Sequence, residues 1–207
     1  MPIMIPVAPT VVVAAAPVAE AAPASEHPRS GLTSTNAAAR AAAVGVVLTR
    51  PETVDPFDYA LVVKWLWENG RRRQAAFWFY VFQERSRPWS LADRGGDGAA
   101  ALRSSLNDEM GTLIYAWIAS DVAEWRTVAE RATSYEKRFP IYRERPPRLS
   151  AAQWIALVAK SRAECDAQAK AAFADMDPTH VASERRMAGL PVGPLEAPGP
   201  ALPENWR

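Results

Sequence analysis

The sequence contains few of the residues that most often carry metals or perform nucleophilic chemistry. Its 207 residues include one cysteine and two histidines. Cys165 has no partner for an intrachain disulfide, and one cysteine with two histidines cannot fill a four-ligand structural zinc site. A lone cysteine fits a reducing compartment but does not prove one, because many exported proteins also lack disulfides. We therefore predict no metal site and no cofactor.

The sequence also lacks an excess of charge of either sign. Its 24 basic and 23 acidic side chains leave a formal net charge of +1. Proteins that bind nucleic acids usually carry a large basic excess, because neutralising phosphates drives their affinity. The composition argues against nucleic acid as a partner, and any electrostatic recognition must come from a local patch.

A long uninterrupted apolar run is missing as well. The first nineteen residues carry no charged side chain, but they contain four prolines and no basic stretch of the kind that opens a signal peptide. They are also short for a membrane-spanning helix. We predict a disordered Ala/Pro-rich arm over residues 1–35, no transmembrane span and, by a narrow margin, a cytoplasmic protein. An export signal, with a periplasmic protein, is the alternative.

Helical signals dominate the rest of the chain. Asp55-Pro56 is a typical helix start and Gly70 a typical helix end, and Ser150 with Gln153 forms a capping-box pattern. We predict an all-α fold, an antiparallel bundle of about five helices built from αα-hairpins, within a domain over residues 51–178. The predicted helices cover about 55–69, 74–87, 98–119, 121–138 and 150–175. The second ends before Pro88, and a loop covers 90–98.

The flanking regions carry weaker signals. Residues 36–50 predict a short helix behind Asn36. Residues 179–188 predict another, followed by a proline-rich tail up to residue 207 that we expect to be disordered.

No catalytic residue is assigned from the sequence. His27 and His180 lie away from any recognisable catalytic partner, and Cys165 falls on an apolar helical stripe that predicts a buried thiol. Two carboxylates can hydrolyse a glycosidic bond without histidine. Glu109 and Glu124 therefore define an alternative hypothesis, a histidine-independent hydrolase.

Two arginine-rich segments are the candidate binding regions. Arg71, Arg72 and Arg73 lie between the first two predicted helices, and Tyr142, Arg143 and Arg145 lie in a proline-containing connection. Arginine beside aromatic residues is a common composition of protein interfaces. We predict these six residues as contacts with a partner protein.

Two resemblances point the same way. The segment ALVVKWLWENGRRRQAAFWFYVF resembles one tetratricopeptide or Sel1-like unit over residues 59–84. The run QAAFWFYVFQ is similar to that of small bacterial all-α proteins with an FWFY-bearing helix, and proteins of that kind include immunity proteins of secreted toxins. The aromatic-rich helical pattern, the near-neutral charge and the missing catalytic groups favour a helical protein-binding module. The resemblance implies an immunity or antitoxin-like inhibitor as its most concrete form, with a toxin as its partner. A homodimer is compatible with this hypothesis, and an exported envelope-associated structural protein is a further alternative.

The prediction for the N-terminal segment can be checked directly. We expect mass spectrometry of the protein from its native host to find the end at Met1 or Pro2, in the cytoplasmic fraction, because the segment lacks a basic start. An end cleaved within the first thirty or so residues, in a periplasmic fraction, would instead support export.

Overall fold

A computed structural model describes residues 28–93, 98–138 and 145–206 of the chain. These residues form eight α-helices and three short 3-10 helices, without a strand, so the predicted all-α class is confirmed. The α-helices are α1 Pro28–Leu32, α2 Ala37–Thr49, α3 Tyr59–Glu68, α4 Arg72–Ala92, α5 Ala99–Ile118, α6 Val122–Arg138, α7 Ala151–Ala174 and α8 Pro178–Met187. The 3-10 helices are Pro51–Thr53, Pro56–Asp58 and Glu204–Trp206. Residues 1–27 of the arm predicted over 1–35, including His27, lie outside the described residues.

The local helix signals act as predicted. The Asp55 carboxylate accepts a hydrogen bond from the Phe57 N–H at 2.8 Å, which satisfies a free donor where the chain enters α3. Gly70 follows α3 with a φ of 69°, a left-handed conformation that glycine adopts without strain. The Ser150 hydroxyl and the Gln153 side chain complete the reciprocal capping box of α7.

The fourth helix lies at the centre of the structure. Its segment from Ala75 to Phe82 contains seven fully buried residues, which point to every side of the helix. The Trp78 ring packs edge-on against Tyr59 of α3, with ring centres 5.5 Å apart, and against Tyr135 of α6 at 5.8 Å. A helix that is apolar on all sides must be covered on all sides. In this structure α3, α5, α6 and α7 supply most of that cover.

The prediction that this helix ends before Pro88 is wrong, since α4 continues to Ala92. A proline inside a helix lacks the N–H that would bond the preceding turn, which normally favours termination. Here Pro88 is buried, and the turn beyond it packs against α7. The rings of Trp89 and Trp154 lie edge-on with centres 5.2 Å apart. This tertiary packing favours one more helical turn, and the loop predicted over 90–98 begins at Asp93.

The prediction of disordered flanks is wrong for the described parts of both ends. At the N-terminal side, α1 forms within the region assigned to the arm, and Leu32 is buried against the core. At the C-terminal side, Leu195, Leu202 and Trp206 are buried. Trp206 stacks on Phe77 of α4 with ring centres 5.0 Å apart. Prolines prevent a regular helix in this tail, but they do not prevent its apolar side chains from packing. The short helices predicted over 36–50 and 179–188 are confirmed by α2 and α8.

We expect Trp206→Ala to lower the free energy of unfolding by about 3–5 kcal/mol, because it removes a large buried side chain and leaves a cavity beside Phe77. Urea unfolding followed by circular dichroism measures this loss. The control is Leu190→Ala, at an exposed position only a few residues after α8, which should change stability by less than about 0.5 kcal/mol. Equal effects of the two substitutions would contradict the packed position of Trp206.

Candidate functional site

An apolar groove between α3 and α5 is the strongest candidate for a binding site. It has a volume of about 260 Å³ and extends along α3 from Ala60 to Glu68. At 1.5 Å per residue this length is about 12 Å, or roughly two helical turns. Its floor and walls are formed mainly by carbon atoms of Ala60, Leu61, Val63, Trp67, Leu106, Met110, Leu113 and Ile114.

The groove exists because α5 carries more apolar residues than its neighbours cover. Met110 and Ile114 are buried against α3 and α4, as their helical spacing predicts. Leu102 and Leu113 belong to the same stripe but remain 47% and 49% exposed. Two large aliphatic side chains half exposed on one helix face are typical of a surface that another molecule can cover.

Charged side chains form the rim of this groove. Lys64 of α3 and Glu109 of α5 approach each other across it at 3.7 Å, and both are mostly exposed. Glu68 also lines the groove and is exposed. The rim therefore carries two acidic side chains and one lysine, and its net charge is negative. A segment with basic residues beside its apolar ones would therefore be electrostatically complementary.

Two other clefts are larger, at about 490 Å³ each. One lies between the α5–α6 turn, α8 and the segment 192–194, and its apolar residues are valines, alanines and prolines rather than the larger leucine, methionine and tryptophan side chains of the groove. The other lies between α6 and α7, where Lys137 and Asp166 pair with each other across it. Mutually paired charges leave less free hydrogen-bonding capacity for a ligand.

The three consecutive arginines predicted as partner contacts make contacts within the chain. The guanidinium of Arg71 lies 6.0 Å from the ring centre of Trp65, and that of Arg72 lies 5.3 Å from Trp67. Arg73 forms an ion pair with Glu124 at 2.6 Å. Burial lowers the pKa of Arg71 from its usual value. These side chains thus join the α3–α4 turn to its surroundings.

The second predicted contact region is only partly described. Tyr142 and Arg143 lie outside the described residues. Arg145 is exposed, and its Nε donates a hydrogen bond to the Leu149 carbonyl at 3.0 Å. The structure does not bring Arg145 and the Arg71–Arg73 turn into one described pocket.

The two acids of the hydrolase hypothesis face different cations. Glu109 lies at the groove rim beside Lys64, whereas Glu124 pairs with Arg73 near the start of α6. A glycosidase needs its two carboxyl groups on opposite sides of one bond. The structure provides no cleft that both carboxyl groups line among the described residues.

The remaining candidates for chemistry are dispersed. His180 lies on the surface of α8, 3.1 Å from Glu184 one turn later. Within the described ranges, no three His, Cys, Asp or Glu side chains cluster as metal ligands would. The described helices include none whose length and apolar content would suit it to crossing a bilayer.

A buried charged cluster between α4, α6 and α7 was not predicted from the sequence. Arg162 of α7 donates two hydrogen bonds of 2.8 Å, from Nε and Nη2, to the carboxylate of Glu136. Glu136 is only 1% exposed. Nearby, Glu84 of α4 accepts a hydrogen bond from the Thr133 hydroxyl. Burial raises the pKa of Glu84 to about 7, and the negative charges of Glu136 and Asp166 add to this effect.

Cys165 faces the same cluster from α7. Burial raises the pKa of its thiol to about 11, with Glu84 contributing in the same direction. Because the thiolate is the reactive form, this environment makes Cys165 a poor nucleophile at neutral pH. It is partly rather than fully buried, so the predicted apolar position is only approximate.

Comparison of the chain with protein-family models, with curated proteins and with solved structures found no match. The function of the groove is therefore inferred from its own residues and geometry.

Replacing Glu84 with glutamine is expected to weaken the pH dependence of stability. The Glu84 pKa is raised from its ordinary value of 4.5 to about 7 in the folded protein. Its contribution to stability is thus fully present below about pH 4.5, is lost as the pH rises towards 7, and stays lost above it. The loss amounts to at most about 3.5 kcal/mol, because one pKa unit corresponds to about 1.4 kcal/mol.

Urea unfolding between about pH 4.5 and 8 measures this effect against the wild-type protein. The control is Glu130→Gln, which removes an exposed acid of α6. The control should keep the wild-type pH dependence, and Glu84→Gln should lose a part of it. A Glu84→Gln protein whose unfolding free energy follows the wild-type curve would show that this carboxyl is ordinary.

Proposed function

We propose that this chain is a helical protein-binding module that receives an amphipathic helix of a partner protein in the groove between α3 and α5. The observation that carries this proposal is the half-exposed Leu113 in the wall of an open apolar groove. Recognition of a helix in a groove uses apolar anchors at positions i, i+3 or i+4, and i+7. A groove two helical turns long accommodates that spacing.

The rim supports a more specific description of the partner. Glu68 and Glu109 outnumber Lys64 there, so the bound helix is expected to carry Lys or Arg beside its apolar face. The chain as a whole is almost neutral, at +1, so this local rim rather than the overall charge would select the partner.

An immunity or antitoxin-like inhibitor of a bacterial toxin is the form of this function that we propose first. Such an inhibitor needs a complementary surface and no catalytic groups. Tyr142, Arg143 and Arg145 belong to the proposal as a second contact region. The Arg71–Arg73 turn is a weaker contact region, because its guanidinium groups already pack on Trp65, Trp67 and Glu124.

The groove can be tested with displayed random peptides of about 16 residues, enough for four helical turns. We expect the wild-type protein to select peptides with apolar residues at helical spacing and basic residues beside them. Leu113→Arg should weaken the binding of purified selected peptides about tenfold or more, because it places a charge in the apolar wall. The matched control is Ile155→Arg, at an exposed position of α7, which should leave binding unchanged.

Peptides that bind wild-type, Leu113→Arg and Ile155→Arg proteins equally would rule out the groove. The Arg143→Ala/Arg145→Ala double variant tests the second contact region in the same measurement. For the inhibitor form, reading frames beside the gene can be expressed in a bacterial host alone and together with this chain. A neighbour that stops growth alone, and not in the presence of the chain, would support it.

A further inference from the structure

The C-terminal strap, residues 190–206, crosses the helical body outside the groove described above. It has no helix or strand before the final 3-10 helix. Five prolines interrupt it, at positions 191, 194, 198, 200 and 203. Proline has no N–H, so the backbone of such a segment presents mainly carbonyl acceptors.

The helical body supplies donors to these carbonyls in register along the strap. The Glu196 carbonyl accepts hydrogen bonds from Trp117 Nε1 at 2.8 Å and from Arg72 Nη1 at 3.3 Å. Further along, the Ala201 carbonyl accepts one from Gln74 Nε2 at 3.0 Å. Other donors are Arg185 Nε to Pro191, Arg73 N to Pro198, Arg131 Nη2 to Pro203 and Arg138 Nη2 to Asn205. In the opposite direction, the Gly193 N–H donates to the Ser120 carbonyl. Positive φ angles at Gly193, Ala197 and Gly199 bend the strap away from a regular polyproline II helix, so the hydrogen bonds follow the particular shape of this segment.

Three buried side chains anchor the strap between these hydrogen bonds. Leu195 and Leu202 are 8% and 6% exposed, and Trp206 is 3% exposed. The Trp206 ring stacks on Phe77 at 5.0 Å and meets Trp78 edge-on at 5.5 Å. Large apolar anchors in pockets, surrounded by polar contacts, are typical of peptide-binding sites.

One position of the strap permits only glycine. Gly199 has a φ of 72°, and a Cβ atom there would lie 2.2 Å from the Gly70 carbonyl oxygen. The backbone of the strap therefore approaches the α3–α4 turn more closely than any other residue would allow. The site therefore requires a glycine at this position of its ligand, which an apolar segment in general would not provide.

We infer that the surface formed by the α3–α4 turn, the end of α5 and the length of α6 is a recognition site for a proline-rich peptide with an irregular, bent backbone, and that the C-terminal strap is its ligand bound in cis. The ligand carries leucines seven residues apart and a tryptophan four residues further on, with glycine between the leucines. The same segment of a second copy is the occupant when it is supplied in trans. This site is separate from the groove between α3 and α5, so the inference does not depend on the function proposed for that groove.

The body retains part of its aromatic packing without the strap. Phe77 still contacts Tyr135, with ring centres 5.2 Å apart, and Trp78 still contacts Tyr59. The strap is also joined to α8 through exposed residues, including Gly189 and Leu190. A cut at this junction would turn the strap into a separate peptide. The peptide would keep the Pro191 carbonyl, which accepts a hydrogen bond from Nε of the buried Arg185 at 2.8 Å.

The experiment inserts a site-specific protease sequence between Gly189 and Leu190 of the full chain and cuts the folded protein. A fluorescent synthetic peptide of residues 190–206 is then added, and its binding is followed by anisotropy. We expect saturable binding to the cut protein and binding about tenfold or more weaker to the uncut protein, because the tethered strap competes at high effective concentration.

Variant peptides test whether the observed contacts carry the binding. Trp206→Ala should weaken binding by about a hundredfold or more, because it removes the same buried side chain whose loss is expected to destabilise the intact protein. Gly199→Ala should also lose affinity, because its Cβ clashes with the turn. The matched control is Glu196→Ala, which removes an exposed side chain and keeps the carbonyl acceptor, and it should bind like the unmodified peptide.

Three outcomes would overturn the inference. The first is that the labelled peptide fails to enter a cut protein that keeps its helical circular dichroism. The second is that the cut protein loses its helical signal on dilution, since a receptor must stay folded when its ligand leaves. The third is that Gly199→Ala and Glu196→Ala peptides bind equally well, which would show that the peptide binds nonspecifically.

Discussion

The need to cover α4 on every side governs the rest of the structure. The segment from Ala75 to Phe82 has no polar face, so it cannot lie on the surface of a bundle. Helices α3, α5 and α6 surround most of it, and α7 packs on the C-terminal part of α4. The C-terminal strap covers part of what remains by placing Trp206 on Phe77. The strap has no helical periodicity, but it belongs to the core because it covers the aromatic side chains of α4.

Helix α7 is held mainly by a buried ion pair, whereas α4 is held by apolar packing. Few of its side chains are buried, and its firmest contact is the pair between Arg162 and Glu136. Breaking a buried ion pair typically costs about 3–5 kcal/mol, although forming one contributes much less net stability. Glu84 lies near this pair, accepts a hydrogen bond from the Thr133 hydroxyl and has a raised pKa because it is buried. Protonation of Glu84 therefore changes the charge balance where α4, α6 and α7 meet.

The two candidate binding surfaces are separate but adjacent, and a contact between two tryptophans links them. Trp67 lines the groove between α3 and α5, and its ring meets that of Trp117 edge-on at 5.7 Å. Trp117 in turn donates to the Glu196 carbonyl of the strap, while Arg72 contacts both Trp67 and that carbonyl. Some tryptophans of the chain thus pack in the interior around α4, and others lie between the groove and the surface that binds the strap.

The sequence by itself determined the all-α class, the approximate bounds of the helices and the capping residues, because hydrogen bonds at helix ends and apolar periodicity act between residues a few positions apart. It did not reveal that α4 passes through Pro88, that Leu113 stays exposed beside a groove, or that Glu84 meets charges from α6 and α7. Nor did it reveal that Leu202 and Trp206 belong to the interior. Only the tertiary structure decided these features, because each depends on which surfaces distant segments leave uncovered, and no local pattern records that.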